Sequence, residues 1–288
     1  MRDILEGLQE PIPLLDHGFL RLVDAMPRLV DGDETADHAV VRAARVSYQG
    51  GTKTSRTDRG LIRYLMRHWH TSPFEMVELK FHAKLPIFVA RQWVRHRTAS
   101  INEVSARYSV LPDEFYVPEP EHVRTQSATN KQGGGDVHLR GHWFTVDAKT
   151  FFSAASDTYR EWGSANLARE TARIVLPVST YTEWYWKANL LNVFRFLQLR
   201  MDPHAQYEIR VYADAMATLV QRIAPWCYEA FTDYWRGAPR LSSQEWVAIR
   251  DELTTEQRAR VRSRLESQVS AGELREFDAK LGGEGGGS

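Results

Sequence analysis

The sequence predicts an α/β fold, with a central, mainly antiparallel sheet flanked by helices. The clearest strand pattern lies at 77–85, where apolar side chains alternate with charged and polar ones, so that one face of the strand is buried. The clearest helix pattern lies at 57–70, and its apolar stripe at helical spacing is formed by Leu61, Ile62, Leu65, Met66 and Trp69. No Gly-x-Gly-x-x-Gly motif follows a predicted strand, which excludes a Rossmann-type dinucleotide site.

The other elements of the N-terminal half follow in order. Partial alternation at 16–26 predicts a first strand, and residues 34–47 predict a helix before the one at 57–70. Pro86 opens a short helix that is expected to run to about His96, because the missing N–H of proline costs nothing at a helix start.

The middle of the chain begins with a predicted loop. Three prolines and the glycine run at 133–135 predict a long surface loop over 111–146, and a helix is expected at 147–172. The aromatic residues at 181–186 then predict a strand or turn.

A buried helix is predicted at 189–200, because most of its sides are apolar. One narrow polar line remains on it and should face something polar; it consists of Asn189, Asn192, Arg195 and Gln198.

The C-terminal part is expected to be helical. Two amphipathic helices are predicted at 204–223 and 225–236, and charged, helix-favouring residues predict a helical appendage at about 243–281. The closing Gly-Gly-Glu-Gly-Gly-Gly-Ser is typical of a flexible tail. We therefore expect a main domain at 1–240 and a charged helical extension with a Gly-rich tail at 241–288.

Charge and cysteine content narrow the class of protein. Lys and Arg (37) balance Asp and Glu (37), whereas general nucleic-acid or membrane-surface binders carry excess positive charge. No window approaches the roughly 18 uninterrupted apolar residues of a membrane helix, and the N-terminus lacks a secretory-signal pattern. The single cysteine, Cys227, excludes a disulfide framework and a cysteine-rich zinc site. A cytoplasmic protein with no nucleic-acid or membrane partner is expected.

The most informative segment is an arginine-rich stretch, Arg91-Gln-Trp-Val-Arg-His-Arg-Thr-Ala-Ser-Ile-Asn-Glu-Val-Ser-Ala-Arg-Tyr108. Guanidinium groups bind phosphate through paired hydrogen bonds, and serine hydroxyls complete such a site. Glu103 is an acceptor suited to ribose hydroxyls or to ordering the cations around it. Arginine-rich stretches are more often solvated surface or structural ion pairs. Here, however, interleaved apolar residues place the stretch against the core, where unpaired arginines are costly. The segment therefore predicts a small-anion site with sugar recognition.

Eight fixed positions in this stretch resemble the signature of the flavin-dependent thymidylate synthase family: Arg95-His96-Arg97-x-x-Ser100-x-Asn102-x-x-Ser105-x-Arg107-Tyr108. The resemblance extends from about residue 17 to 236. It implies the methylation of dUMP to dTMP, with 5,10-methylenetetrahydrofolate as carbon donor and NADPH-reduced FAD as hydride source. It also implies a homotetramer with active sites shared between subunits.

The resemblance assigns roles to individual residues. Arg200 is the implied catalytic residue, because the family places this arginine beside the uracil and credits it with ionisation at N3. The implied dUMP contacts are Gln92, Arg95, Glu103, Val104, Ser105, Ala106, Arg107, Arg173 and Arg200, with Ser105 and Arg107 nearest the phosphate. The implied FAD contacts are His70, Ser72, Arg95, His96, Arg97, Glu103, Asn189, Arg195 and His204. Of these, His70 and Ser72 are expected to hold the FAD of a neighbouring subunit, and no metal is implied.

Three positions differ from the common family pattern. Met76 stands where histidine is usual, Leu191 where arginine is usual, and Ala106 where glycine is frequent. The alanine matters if its backbone requires a positive φ, which glycine adopts readily.

Two other functions are suggested by particular residues. His68, His70 and Glu75 suggest a metal-dependent nucleotide hydrolase, although histidines two apart on a helix point to different faces. Arginines interleaved with aromatic residues suggest a single-strand nucleic-acid-binding module, which the balanced charge disfavours. Cys227 has no base near it in the sequence and is expected in the core, which favours a flavin route over a thiolate route.

Overall fold

The computed structural model describes residues 2–30, 34–46, 57–128 and 133–282. The chain forms two compact units, 1–236 and 237–288. Among the described helices, none has the length and apolar character needed to cross a membrane.

Antiparallel pairing organises all strands of the first unit. The strands are β1 (Arg2–Asp3), β2 (Ile12–Leu14), β3 (Gly18–Met26), β4 (Leu29–Val30), β5 (Glu78–Pro86), β6 (Ser100–Glu103), β7 (Arg124–Gln126), β8 (Gly134–Val137) and β9 (Tyr181–Asn189). A five-stranded sheet has the order β2-β3-β5-β9-β6, and β1–β4 and β7–β8 form separate two-stranded pairs. The predicted α/β class with a mainly antiparallel sheet is confirmed.

Strands β5 and β9 are neighbours inside the sheet, and both alternate between apolar and polar side chains. Phe81 pairs with Trp186 and Ala83 with Trp184, and all four side chains are buried on one face. Lysine and glutamate side chains of the same strands remain partly exposed, as the alternation predicts. Strand β9 extends to Asn189 and is therefore longer than the predicted 181–186.

The described part of the first unit contains eight α-helices. They are α1 (Asp37–Arg45), α2 (Asp58–Arg67), α3 (Ile87–Trp93), α4 (Gly141–Ser164), α5 (Arg169–Ala172), α6 (Leu190–Arg200), α7 (Tyr207–Ile223) and α8 (Pro225–Phe231). Of these, α3, α6 and α7 pack against the five-stranded sheet. Short 3₁₀ turns lie at Ser72–Met76, Pro120–His122 and Arg173–Val175, and a π-helical turn follows α8 at Thr232–Arg236.

An aromatic core joins α3, α6 and α7 to the buried face of the sheet. Trp93 of α3 stacks on Phe196 of α6 with ring centroids 4.6 Å apart, and its edge contacts both Trp184 and Trp186. Tyr212 of α7 completes the group. This packing fixes the C-terminal ends of α3 and α6 beside each other.

Within the described residues of the second unit the helices are α9 (Ser243–Glu252), α10 (Thr255–Leu265) and α11 (Ala271–Gly282). Capping boxes at Ser242 with Glu245 and at Thr254 with Gln257 start the first two helices. The helical character expected at 243–281 is therefore present, while the tail at 283–288 lies outside the described residues.

Two predictions about the middle of the chain are wrong. The supposed loop at 111–146 contains the β7–β8 hairpin and the start of α4, which begins at Gly141 rather than at 147. The helix expected to reach 172 breaks after Ser164, because Asn166 adopts a left-handed conformation with φ 62° and ends it.

Two helix ends also differ from prediction. Helix α3 ends at Trp93 rather than near His96. Helix α2 ends at Arg67, and Trp69 lies beyond it with φ 60°, exposed rather than on the buried stripe. The backbone N–H of His70 donates to Leu65 O at 2.9 Å, as in the common helix C-terminal motif with one left-handed residue. That residue is usually glycine, and here it is Trp69.

Candidate active site

The end of α6 places Arg200 against the end of α3. Its Nε donates to His96 Nε2 at 3.2 Å, and its Nη2 donates to the carbonyl oxygen of Gln92 at 2.9 Å. Burial lowers the pKa of Arg200, but an arginine stays protonated at neutral pH. No carboxylate of the described chain lies within ion-pair distance of this guanidinium, so its two protein acceptors are neutral and its charge is not cancelled.

His96 is a neutral acceptor because its ring is partly buried beside a positive charge. Burial, and secondarily the positive charge of Arg200, lowers the pKa of His96 to about 4. At neutral pH its ring is therefore uncharged and offers a lone pair to Arg200. The ring edge also packs on Phe196 at 5.0 Å, which fixes its orientation.

Other predicted residues surround this pair at the end of α3. The Gln92 side chain donates a hydrogen bond to the side chain of Gln206, which the sequence did not predict as a site residue. Arg95 and Arg97 are exposed in the turn after α3, and neither has an ion pair with a carboxylate in the part of the chain that is described. His204 lies on the same segment as Gln206 and pairs with Asp202 at 2.9 Å.

A second group of predicted residues lines a cavity of about 350 Å³. Glu103, Val104, Ser105 and Ala106 form one side of it, and Arg173 of the 3₁₀ turn at Arg173–Val175 contributes from the other. The remaining described lining residues are Ile87, Leu111, Leu176 and Thr182; Arg200 is not among them.

Strand pairing positions this cavity wall. Glu103 pairs with Trp184 at the edge of the sheet, and the backbone N–H of Val104 donates to Glu183 O at 2.9 Å. Thr182, which the sequence reasoning also missed, donates to Glu103 Oε1 at 2.6 Å and orients the carboxylate. Nothing in the sequence around Thr182 distinguishes it from an ordinary strand threonine.

A tight turn carries the wall on to Arg107. Ser105 O accepts hydrogen bonds from the backbone N–H groups of Tyr108 and Ser109, and Ser105 Oγ accepts one from the Arg107 N–H at 3.3 Å. Arg107 forms an ion pair with Glu170 at 3.6 Å, in which both side chains are more than half exposed. Ala106 has no positive φ, so the alanine in place of the family's frequent glycine is not strained.

The predicted flavin contacts at the other end of α6 form a hydrogen-bonded series. Asn189 caps the helix by accepting from Asn192, and Asn192 Oδ1 accepts from Arg195 Nη1 at 3.1 Å. Gln198 donates to Trp235 O. The polar side chains of this line therefore bond to one another and to the Trp235 carbonyl, and Arg195 among them is exposed.

His70 and Ser72 form a third, separate group. Both are exposed between α2 and the turn at Ser72–Met76, and the His70 ring stacks on Tyr64. The ring centroids of His68 and His70 are 6.3 Å apart, and no group of three possible metal ligands occurs among the residues that the structure places. The hydrolase interpretation therefore has no described ligand set.

Cys227 is in the core, as predicted. The residue is fully buried, and burial, together with the nearby charge of Asp37, raises the pKa of its thiol. Asp37 itself accepts from the backbone N–H groups of Trp226 and Cys227, which is a structural arrangement at the start of α8. A buried thiol with a raised pKa is a poor nucleophile.

Comparisons with known proteins point to one family. A family model described as "Thymidylate synthase complementing protein" matches residues 28–226. A flavin-dependent thymidylate synthase of Ruegeria pomeroyi is 51% identical over 277 residues, covering 94% of this chain and 87% of the relative. One of Dictyostelium discoideum is 53% identical over 250 residues, covering 86% and 82%. The crystal structure of a UMP/dUMP methylase, PolB, from Streptomyces cacaoi with 5-Br dUMP bound is similar, with a TM-score of 0.68 and 36% identity over 79% of this chain and 100% of that one.

Proposed function

We propose that this chain, which belongs to the flavin-dependent thymidylate synthase family, converts dUMP to dTMP by reductive methylation. The carbon donor in this proposal is 5,10-methylenetetrahydrofolate, and NADPH is the reductant. Relatives about half identical over most of their length carry this function in their names, and a structural relative holds a brominated dUMP.

The observation that carries the proposal is how Arg200 is held. A uracil ring reacts at C5 only when its electron density is raised, and a fixed cation beside N3 and a carbonyl stabilises that negative charge. Because the acceptors of Arg200 are the neutral His96 ring and a backbone carbonyl, the guanidinium keeps its full charge for the pyrimidine. Fixed donors of this kind need no reorganisation when the reaction begins.

The wall that contains Glu103 is proposed to hold the rest of dUMP. Ser105 and Arg107 supply a hydroxyl and a guanidinium for the phosphate, and the surface ion pair of Arg107 with Glu170 is weak enough to exchange. Glu103, oriented by Thr182, accepts from ribose hydroxyls. Gln92, Arg95, Val104, Ala106 and Arg173 complete the proposed set of dUMP contacts.

FAD fits the exposed cations of this chain. Arg95 and Arg97 have guanidinium groups without carboxylate partners in the described ranges, and a diphosphate binds such groups in a bidentate manner. His70, Ser72, His96, Glu103, Asn189, Arg195 and His204 complete the proposed FAD contacts. FAD bound there and reduced by NADPH would supply the hydride that turns the transferred carbon into a methyl group.

A second copy of the chain is proposed to complete each site. Arg200, which contacts His96, is not among the residues that line the cavity with Arg173, and a site completed by a neighbouring subunit is compatible with this. Exposed apolar side chains on and near α4, including Trp143 at 62% and Ile174 at 70%, supply surface for such an assembly. The proposed assembly is the homotetramer of the family.

The test is direct. The purified protein should be yellow, and with dUMP, methylenetetrahydrofolate and NADPH it should form dTMP; leaving out any one of the three should stop the product. A protein that binds no flavin and forms no dTMP when FAD is added would contradict the proposal.

A further inference from the structure

A polar cleft of about 800 Å³ lies beside the Arg200 group. One wall comes from the turn and hairpin that precede α4, with His122 and Arg124. The other is the segment 202–210, with His204, Gln206 and Arg210. Neither the composition nor the arginine-rich motif indicates this cleft, because the glycine run of the hairpin is equally typical of a surface loop.

The cleft is physically linked to the proposed reaction centre. Gln206 lines the cleft and accepts a hydrogen bond from the side chain of Gln92. The carbonyl oxygen of that same Gln92 accepts from Arg200. Gln92 and Gln206 therefore connect the Arg200 group to this cleft through hydrogen bonds.

Two guanidinium groups in the cleft keep their charge. Arg124 Nη1 donates to Gly135 O at 3.1 Å, and Arg210 Nη1 donates to Pro203 O at 2.9 Å. Both acceptors are neutral carbonyls, and neither arginine has a carboxylate within 4.0 Å in the described part of the chain. Asp214, one turn further along α7, interacts with Arg210 only beyond that distance.

The carboxylates of the cleft are bound to other partners. Asp202 Oδ1 accepts from the backbone N–H of His204 and lies 2.9 Å from its ring. Glu208 is buried and accepts from the hydroxyl of Tyr116 at 3.1 Å. Neither carboxylate therefore satisfies Arg124 or Arg210, and the cleft has two cations ready for an incoming anion.

Part of the cleft wall is aromatic. The rings of His122 and Tyr207 stack with centroids 3.8 Å apart and an interplanar angle of 15°. Both residues line the cleft, so a planar ligand group has a flat surface beside the two guanidinium groups.

We propose that this cleft binds the p-aminobenzoylglutamate end of methylenetetrahydrofolate, with its carboxylates on Arg124 and Arg210. The inference rests on the proposed function. Among the proposed substrates, only folate joins an aromatic ring directly to a glutamate dicarboxylate while its reactive carbon must reach the pyrimidine beside Arg200. Each further glutamate of a polyglutamate tail adds an anion at the same cations.

The experiment compares Arg124→Gln and Arg210→Gln with wild-type holoenzyme. The KM for methylenetetrahydrofolate should rise about tenfold in each variant, because a charge-assisted hydrogen bond is lost. The rise should be larger with the triglutamate form, while flavin content and the KM values for dUMP and NADPH stay within about twofold. Arg124→Lys, which keeps the charge, should recover part of the affinity.

Arg140→Gln is the matched control, since Arg140 is an exposed arginine between the hairpin and α4 that does not line the cleft. Its folate KM should equal that of the wild type. An unchanged folate KM in both cleft variants overturns the inference. So does a rise in the NADPH KM alone, which would assign the cations to the phosphates of the reductant.

A binding measurement separates failure of this inference from failure of the proposed function. Quenching of tryptophan fluorescence by pteroyltriglutamate, measured without turnover, should weaken about tenfold in the two cleft variants and not in Arg140→Gln. A wild type that forms no dTMP overturns the proposed function, while this titration still decides where the folate tail binds. Equal affinities in all four proteins overturn the cleft assignment.

Discussion

Arg200 and His96 depend on each other at the level of single side chains. The histidine must be neutral to accept from the arginine, and burial beside that same positive charge keeps it neutral. The sequence motif implied both residues as ligand contacts, but it gave no sign of their direct contact. Such contact depends on the ends of α3 and α6 meeting, which only the packed core determines.

His96 should titrate far below an ordinary histidine. NMR titration of its ring in the protein without added ligand should give a midpoint near pH 4 instead of the usual 6.5. A midpoint between 6 and 7 would mean that the ring is solvated and does not accept from Arg200.

The same shift predicts how stability depends on pH. Since the folded-state pKa of His96 lies below its unfolded value, its contribution is present above about pH 6.5 and is lost as the pH falls toward 4. His96→Gln does not titrate, so its free energy of unfolding should fall less than that of the wild type between pH 7 and pH 5. Parallel curves for the two proteins in urea unfolding would contradict this.

Arg107 is expected to act mainly in binding. Arg107→Ala removes a guanidinium proposed for the dUMP phosphate, so the Kd for dUMP should rise about tenfold while flavin content is unchanged. Arg160→Ala, which loses a comparable exposed arginine paired with Asp157, is the control and should bind dUMP normally. An unaltered Kd in Arg107→Ala would remove this residue from the phosphate site.

Helices and strands were predictable where one pattern ran long enough. The alternation along β5 and the apolar sides of α6 correctly gave their type and most of their extent. The short strands β1, β2 and β4 have two or three residues each, too few for any period to be recognised. The β7–β8 hairpin was not predicted, because glycines are as common in surface loops as in hairpin turns.

One glycine is required by the packing of three strands against α7. A Cβ on Gly18 would lie against the Tyr212 hydroxyl and within 2.8 Å of Leu14 O and 2.9 Å of Lys84 O. It would also disturb the hydrogen bond from Tyr212 to Lys84 O. Gly18→Ala should therefore lower the free energy of unfolding by about 2–4 kcal/mol.

Gly163 in α4 provides the opposite case. A Cβ there meets no atom within 4 Å, so Gly163→Ala should raise the free energy of unfolding by about 0.5–1 kcal/mol through helix propensity. Urea unfolding of both variants tests the pair. A Gly18→Ala protein as stable as the wild type would show that the strand-to-helix contact is looser than described.

At the scale of the whole molecule, the predicted site residues do not all line one cavity, since Arg200 is absent from the lining that contains Glu103 and Arg173. The motif marked residues that lie around Arg200 and residues that line the Glu103 cavity, and their roles in binding remain predictions. It did not indicate which of these residues line one cavity, because sequence spacing contains no information about how the ends of α3, β6 and α6 pack.

Mixed assemblies test the proposed sharing of sites. Arg200→Ala and Arg173→Ala should each be inactive alone. When equal amounts of the two variants are refolded together from denatured chains, about a quarter of wild-type activity should return. The reason is that about a quarter of the randomly assembled sites receive Arg200 from one chain and Arg173 from the other. Glu103→Gln mixed with Arg173→Ala should recover none, because both residues line one cavity of one chain. Absence of recovery in the first mixture would contradict sites shared between subunits.

The most direct test of the central claim is a single-turnover measurement of dTMP formation by Arg200→Ala with FAD bound. If the uncompensated charge of Arg200 activates the pyrimidine, the rate should fall by about 10²–10³-fold while the flavin absorbance stays that of the wild type. Arg200→Lys should retain part of the rate, because it keeps a cation without the two fixed hydrogen bonds. A rate in Arg200→Ala within a few-fold of wild type would contradict the account.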